Sequence, residues 1–150
     1  MSKLGTMIVA LAGIFTAPAL AQTPTAGWVT DTQTGCQVWN ADPHDANSAS
    51  WSGLCPLGYA EGVGVVKWYA NGKLVRRDEG EFREGKLAGP GSRLDRDGAQ
   101  FQGFWRNSRA HGEGRYIAPD GKIIEGTWKN GCLSQGTRQV RIGASPAECR

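Results

Sequence analysis

Apolar and polar positions alternate along much of this chain, and the alternation has a period of two. In Phe101-Gln102-Gly103-Phe104-Trp105, the residues Phe101, Gly103 and Trp105 share one face of a strand, because successive strand side chains point to opposite faces. Gly103 leaves a gap between two rings, which a ring from a neighbouring strand can fill. The opposite face carries pairs such as Glu79/Glu81 and Glu125/Thr127 and is largely solvated. Asn71-Gly72, Asp97-Gly98 and Asp120-Gly121 are strong signals for two-residue hairpin turns, since glycine tolerates the positive φ those turns require. The pairs Gly62/Gly64, Gly89/Gly91 and Gly112/Gly114 open the returning strands, where bulky side chains would obstruct backbone approach.

These features recur. From Gly53 to Gly80 is 27 residues, and the steps to Gly103 and then Gly126 are 23 each. The unit runs aromatic-x-Gly-x-aromatic-x-x-Gly-x-x-x-Gly-x-Gly and closes on Asp/Asn-Gly. Each unit predicts one antiparallel hairpin, and successive hairpins predict an elongated, single-layer, all-β meander. Residues 51–131 hold about three and a half units.

This pattern resembles the MORN repeat family (membrane occupation and recognition nexus). Three positions depart from it: Asp78 stands where the family prefers an aromatic, Cys55 replaces the second aromatic, and Ser108 replaces a loop glycine. The first unit therefore reads as a cap. The resemblance implies binding to proteins or lipid headgroups and scaffolding, with no catalytic residues and no cofactor.

Residues 1–21 read as a secretory signal peptide. Lys3 supplies the positive start, Met7 to Phe15 an apolar run, and Ala19-Leu20-Ala21 a small-x-small cleavage site. The short leader looks bacterial and points to the periplasm. No membrane span is expected after cleavage. Residues 22–50 and 132–150 then form terminal cap segments.

Cys36, Cys55, Cys132 and Cys149 all follow the leader, an even number suited to disulfides in an oxidising compartment. In a linear stack a start-to-end bridge would have to cross several strand spacings of about 4.8 Å. Bridged Cα atoms lie within about 7 Å. The local pairs Cys36–Cys55 and Cys132–Cys149 are expected.

Twenty of the 22 glycines, all six tryptophans and all three tyrosines follow residue 21, which argues against a helical bundle or a doubly wound α/β enzyme. Residues 22–66 carry a net charge of −4 and residues 67–150 a net +6. The arginines Arg76, Arg77, Arg83, Arg93, Arg96, Arg106, Arg109 and Arg115 are interleaved with acids, which predicts a solvated mixed-charge surface rather than a polyanion track. Nucleic acid is not an expected partner.

Enzyme motifs are absent: no G-x-S-x-G, no Walker A, no H-E-x-x-H, and no third glycine to make a dinucleotide loop of the Gly-x-Gly pairs. His44, between Asp42 and Asp45, reads as part of an acidic turn rather than a metal site. Glu79, Glu81 and Glu125 fall at repeat positions that favour exposed acids. The better functional candidates are the rings Trp51, Trp68, Tyr69, Phe82, Phe101, Trp105, Tyr116 and Trp128. Either they pack as the only core, or some stay accessible along a groove for a peptide or glycan. The expected function is a non-enzymatic binding and scaffolding module of the cell envelope with a protein partner. The alternative is a peripheral binder of anionic lipid headgroups or envelope glycans through the arginine-rich side.

Overall fold

The computed structural model describes residues 26–42, 46–135 and 138–150. The expected leader falls within residues 1–25, outside the described residues, and His44 lies outside them too. Among the described residues eleven strands form: β1 (Gly27–Thr30), β2 (Gln37–Asn40), β3 (Ser48–Trp51), β4 (Gly62–Ala70), β5 (Lys73–Arg83), β6 (Lys86–Asp95), β7 (Gln100–Arg106), β8 (Arg109–Ile117), β9 (Ile123–Trp128), β10 (Cys132–Gln135) and β11 (Arg138–Arg141). A short 3-10 turn over Pro146–Cys149 ends the chain. Strands β3 to β9 make one seven-stranded antiparallel sheet in sequence order, while β1–β2 and β10–β11 form separate two-stranded pairs. The expected all-β meander of stacked hairpins is present. Both expected disulfides are present too, Cys36–Cys55 and Cys132–Cys149, with Cα separations of 5.8 and 5.5 Å.

The register explains the glycine period. Gly64 pairs with Gly80, Gly80 with Gly91, Gly91 with Gly103, Gly103 with Gly114, and Gly114 with Gly126. Six glycines thus form one row across six strands, on the inner face of the sheet. Large side chains lie flat over that row. A Cβ on Gly64 would stand 2.4 Å from the Trp51 ring, on Gly91 3.1 Å from Trp105, on Gly114 2.5 Å from Phe101, and on Gly126 2.8 Å from Leu133.

The turns differ from expectation in an instructive way. Asn71-Gly72 is a two-residue turn with both φ positive, as its sequence predicts. Asp97-Gly98 and Asp120-Gly121 are instead the ends of three-residue loops. Asp95 N–H donates to Ala99 O (2.9 Å) and Ala118 N–H to Lys122 O (2.8 Å), and only the glycine of each pair has positive φ. This is a type I turn followed by a left-handed glycine. The aspartate carboxylates accept from Ala99 N–H and Lys122 N–H, each at 3.0 Å, which fixes the loops. Three further two-residue turns among the described residues are Glu84-Gly85, Asn107-Ser108 and Asn130-Gly131, spaced by 23 residues.

Those three turns stack. Gly85 N–H donates to Ala60 O (2.9 Å), Ser108 N–H to Leu87 O (2.9 Å) and Gly131 N–H to Ala110 O (2.7 Å). Ser108 sits at a left-handed φ of 61°, which costs a non-glycine residue roughly 1 kcal/mol. Its hydroxyl accepts from the Leu87 N–H (3.0 Å), so serine there contributes a buried bond that glycine could not. The terminal segments extend the same stack. Trp39 N–H donates to Gly85 O (2.8 Å) at one end, and Ile142 N–H to Gly131 O (2.8 Å) at the other. Cys36, Val38, Leu133 and Ile142 thereby join the core of the sheet.

Gly103→Ala should destabilise the chain by about 2 kcal/mol or more in urea unfolding, because its Cβ would stand 2.7 Å from the backbone of Glu113 and Gly114. Trp105→Ala should cost about 3–5 kcal/mol, as large buried aromatics do. A Gly103→Ala protein as stable as the parent would show that the strands do not approach this closely.

Candidate functional site

Six of the eight candidate rings are core. Trp51, Trp68, Phe82, Phe101, Trp105 and Trp128 are buried, and Tyr69 and Tyr116 are half-buried. The accessible-groove alternative fails for these six, which are 6% exposed or less; Trp51, Phe101 and Trp105 lie directly against the glycine row. Phe101 packs edge-on to Trp105 (centroids 5.1 Å apart) and Trp128 (5.0 Å), and Trp51 tilts against Phe82 (4.7 Å). The Trp51 indole N–H donates to Leu54 O (2.8 Å), whereas the indole N–H groups of Trp105 and Trp128 have no acceptor among the described residues.

The inner face also holds charge, which the expectation of a solvated mixed surface missed. Arg76, Asp78 and Arg93 are buried. Arg93 Nε donates to Asp78 Oδ1 (2.8 Å), and the Trp68 indole N–H donates to Asp78 Oδ2 (2.8 Å). Arg76 Nε lies 3.3 Å from Asp78 Oδ2, near enough for attraction but not aligned for a hydrogen bond. The two guanidiniums cap rings, Arg76 at 4.6 Å from the Trp68 centroid and Arg93 at 5.0 Å from that of Trp105. The N-terminal segment completes the cluster: Asn40 Oδ1 accepts from Arg76 (2.8 Å), and Asp42 approaches Arg93 (3.3 Å).

Register shows why the cluster sits here. Asp78 is one repeat before Phe101, and Arg93 one repeat before Tyr116. Asp78 pairs with Arg93 across β5–β6, where the next unit pairs Phe101 with Tyr116 across β7–β8. An acid in a ring slot requires a base in the facing slot. That was the signal available in the sequence, once both positions were counted together.

Burial alone would raise the Asp78 carboxyl, but the charges of Arg93 and Arg76 outweigh it and hold it below its ordinary 3.8. Burial lowers Arg76, and the like charge of Arg93 adds to that. Burial opposes the charge of Arg93 as well, yet Asp78 and Asp42 overcome it and leave Arg93 above its ordinary value. Asp95 is pushed up, chiefly by burial.

The outer face is different in kind. Glu79 pairs with Arg77 (2.9 Å), Glu81 with Arg83 (3.0 Å) and Glu125 with Arg115 (3.6 Å), so these carboxylates are exposed ion pairs. Their row is flanked by exposed Val63, Leu94, Phe104 and Ile123. His111 Nδ1 accepts from Asn130 N–H (3.2 Å) and helps hold the next turn. Among the described residues no helix is long and apolar enough to cross a membrane. The two disulfides are consistent with a secreted or extracellular protein.

A row of hairpins with a filled inner face and a decorated outer one defines a β-hairpin repeat protein. The MORN repeat model matches residues 79–100 and 101–123, so the chain carries MORN repeats. No curated protein matches it.

Removing Asp78 strands two buried arginines. Asp78→Ala should therefore cost about 3–5 kcal/mol in urea unfolding. The part of wild-type stability that comes from Asp78 ionisation is present above pH 3.8 and is lost as pH falls through its lower folded value. Asp95 acts in the opposite sense, since its raised value lets the folded state take up a proton first. Asp95→Asn should leave stability at pH 7 unchanged or higher, whereas Asp78→Asn lowers it. An equal loss in both would contradict this assignment.

Proposed function

We propose that this chain is a non-enzymatic binding and scaffolding module of the cell envelope, placed in the periplasm, whose main partner is another protein. The observation that carries the reading is the division of the sheet. Its inner face is filled by its own rings and by the terminal segments, while its outer face carries exposed Val63, Leu94, Phe104 and Ile123 and exposed ion pairs among the described residues. A shallow depression of about 320 Å³ lies on that outer face, bordered by Arg77, Ser92, Leu94, Gln102, Arg115 and Ile117. Apolar side chains beside paired charges suit a protein surface, where a hydrophobic centre is rimmed by polar groups.

Headgroup binding through the arginine-rich side has less support. Arg76 and Arg93 are buried, and Arg77, Arg83, Arg109 and Arg115 already face carboxylates, leaving Arg96 and Arg106 of the eight. The repeats, the disulfides and the absence of a filled catalytic constellation in the sequence all favour a module that holds rather than transforms.

Crosslinking pull-down from periplasmic extract tests this directly. Leu94→Arg and Ile123→Arg, both at exposed positions, should leave the melting temperature within a few degrees and reduce partner capture about tenfold or more. Undiminished capture by both variants would move the protein interface off this face.

A further inference from the structure

The N-terminal cap carries a second set of rings that the repeats do not require. Trp28 packs against Trp39 (centroids 5.3 Å apart, 72° between planes) and against Tyr59 (5.1 Å, 59°). The three come from β1, from β2 and from the segment after the Cys55 bridge. They are fixed by the Trp28–Trp39 strand register, by the Gln37–Tyr59 bridge and by the Cys36–Cys55 disulfide. Trp28 is seated on the turn below it, since a Cβ on Gly85 would stand 2.6 Å from its ring. Despite this packing Trp28 remains 44% exposed and Tyr59 38%.

Lys86 Nζ lies over the rings of both Trp28 (5.7 Å) and Trp39 (5.8 Å). Among the described residues it has no carboxylate partner and no hydrogen-bond acceptor. Lys86 also lines a groove of about 530 Å³ that holds Phe104, which is 53% exposed, and Arg106. Arg106 is bonded to the neutral amide oxygen of Asn130 (2.8 Å) and to no acid among the described residues. The charged lining is Arg83, Lys86 and Arg106 against Glu84, a surplus of positive charge. Exposed rings therefore accompany two available cations: Trp28, itself packed on Tyr59, lies under Lys86, and Phe104 lines the groove with Arg106.

We propose that this surface binds an acidic polysaccharide. Pyranose rings with equatorial substituents present flat C–H faces that pack on exposed aromatic faces. Indole N–H and phenol O–H groups at the ring edges suit sugar hydroxyls. Uronate carboxylates match Lys86 and Arg106 in charge, and these are the bonds that strengthen when one partner is ionised. The site shares no lining residue with the outer-face depression, so it goes beyond the protein partner proposed above and would fasten the scaffold to an envelope glycan.

The test is calorimetric titration of the full mature chain with a β-1,4-linked glucuronate hexamer. Cellohexaose serves as its neutral counterpart and inorganic polyphosphate as a ring-free polyanion. The hexauronate should bind about tenfold or more tighter than either control, and should weaken as salt rises. Lys86→Gln and Phe104→Ala, both with unchanged melting temperature, should each weaken it about tenfold, and Trp28→Ala more; Lys122→Gln should not. No hexauronate binding at millimolar concentration would overturn the proposal. So would equal binding by polyphosphate, or binding indifferent to both Lys86→Gln and Phe104→Ala. Vesicles containing phosphatidylglycerol that bind through Lys86 while the hexauronate does not would assign the surface to lipid and also overturn it. Loss of the protein partner through Leu94→Arg is read in a separate assay, so the two proposals fail independently.

Discussion

The rest of this structure depends on backbone that has been left bare in one line. Gly64, Gly80, Gly91, Gly103, Gly114 and Gly126 face one another across six consecutive strands, and no side chain rises from the inner face along that line. A small sheet has too little area to build a conventional core. Here the depth is made by lowering the rings instead, so that Trp51, Phe101 and Trp105 lie against Cα atoms. Apolar area removed from water is worth roughly 25 cal/mol per Å², and large rings supply much of it at two χ angles each. A methyl group at Gly64 or Gly114 would stand within 2.5 Å of the Trp51 or Phe101 ring, and that ring would have to move. The tolerance for substitution along the row is therefore low, and the 23-residue period in the sequence is its direct record.

The first complete hairpin breaks the rule and shows how the fold accommodates that. Asp78 takes the slot that Phe101 and Ile124 take in later units. A buried carboxylate would be prohibitive alone, but Arg93 faces it, Trp68 donates to it, and Arg76 stacks on the same indole. Such an arrangement adds little net stability over a well-packed ring. What it adds is connection: Asn40 and Asp42, in the N-terminal cap, reach the same guanidiniums. The cap is thus held by charge on this side and by the Cys36–Cys55 bridge on the other. At the opposite end the Cys132–Cys149 bridge and the Gln135 amide, which donates to Glu125 O of the last strand (2.8 Å), limit the exposed edge.

Much of this was legible in the residues. The hairpins, the shared face of Phe101, Gly103 and Trp105, and both disulfides follow from spacing, because strand alternation and bridge length are strict constraints. Asp78 stood out as a departure, yet its partner did not, since a period of two cannot separate a buried arginine from a solvated one. The loops at Asp97-Gly98 and Asp120-Gly121 resisted for a similar reason: Asp-Gly serves both two- and three-residue loops, and the choice is made by strand register. Neither Glu84-Gly85 nor Asn107-Ser108 is a strong turn pair by itself. Tertiary bonds to Ala60 O and Leu87 O hold them in place. Trp28 and Trp39 precede the repeats and Tyr59 occupies no recurring aromatic position, so nothing in the repeat could mark them.

The functional reading rests on the same division of faces, in which rings held on glycine leave binding to the outer surface and the caps. The claim beneath it is that Gly114 is glycine to admit Phe101. A double-mutant cycle of Gly114→Ala with Phe101→Ala isolates that contact, because the Phe101 ring is the one group within 3 Å of the added Cβ. Urea unfolding of the four proteins should show Gly114→Ala costing about 2 kcal/mol or more in the parent and little once Phe101 is gone, a coupling above about 1 kcal/mol. Strict additivity of the two substitutions would contradict it.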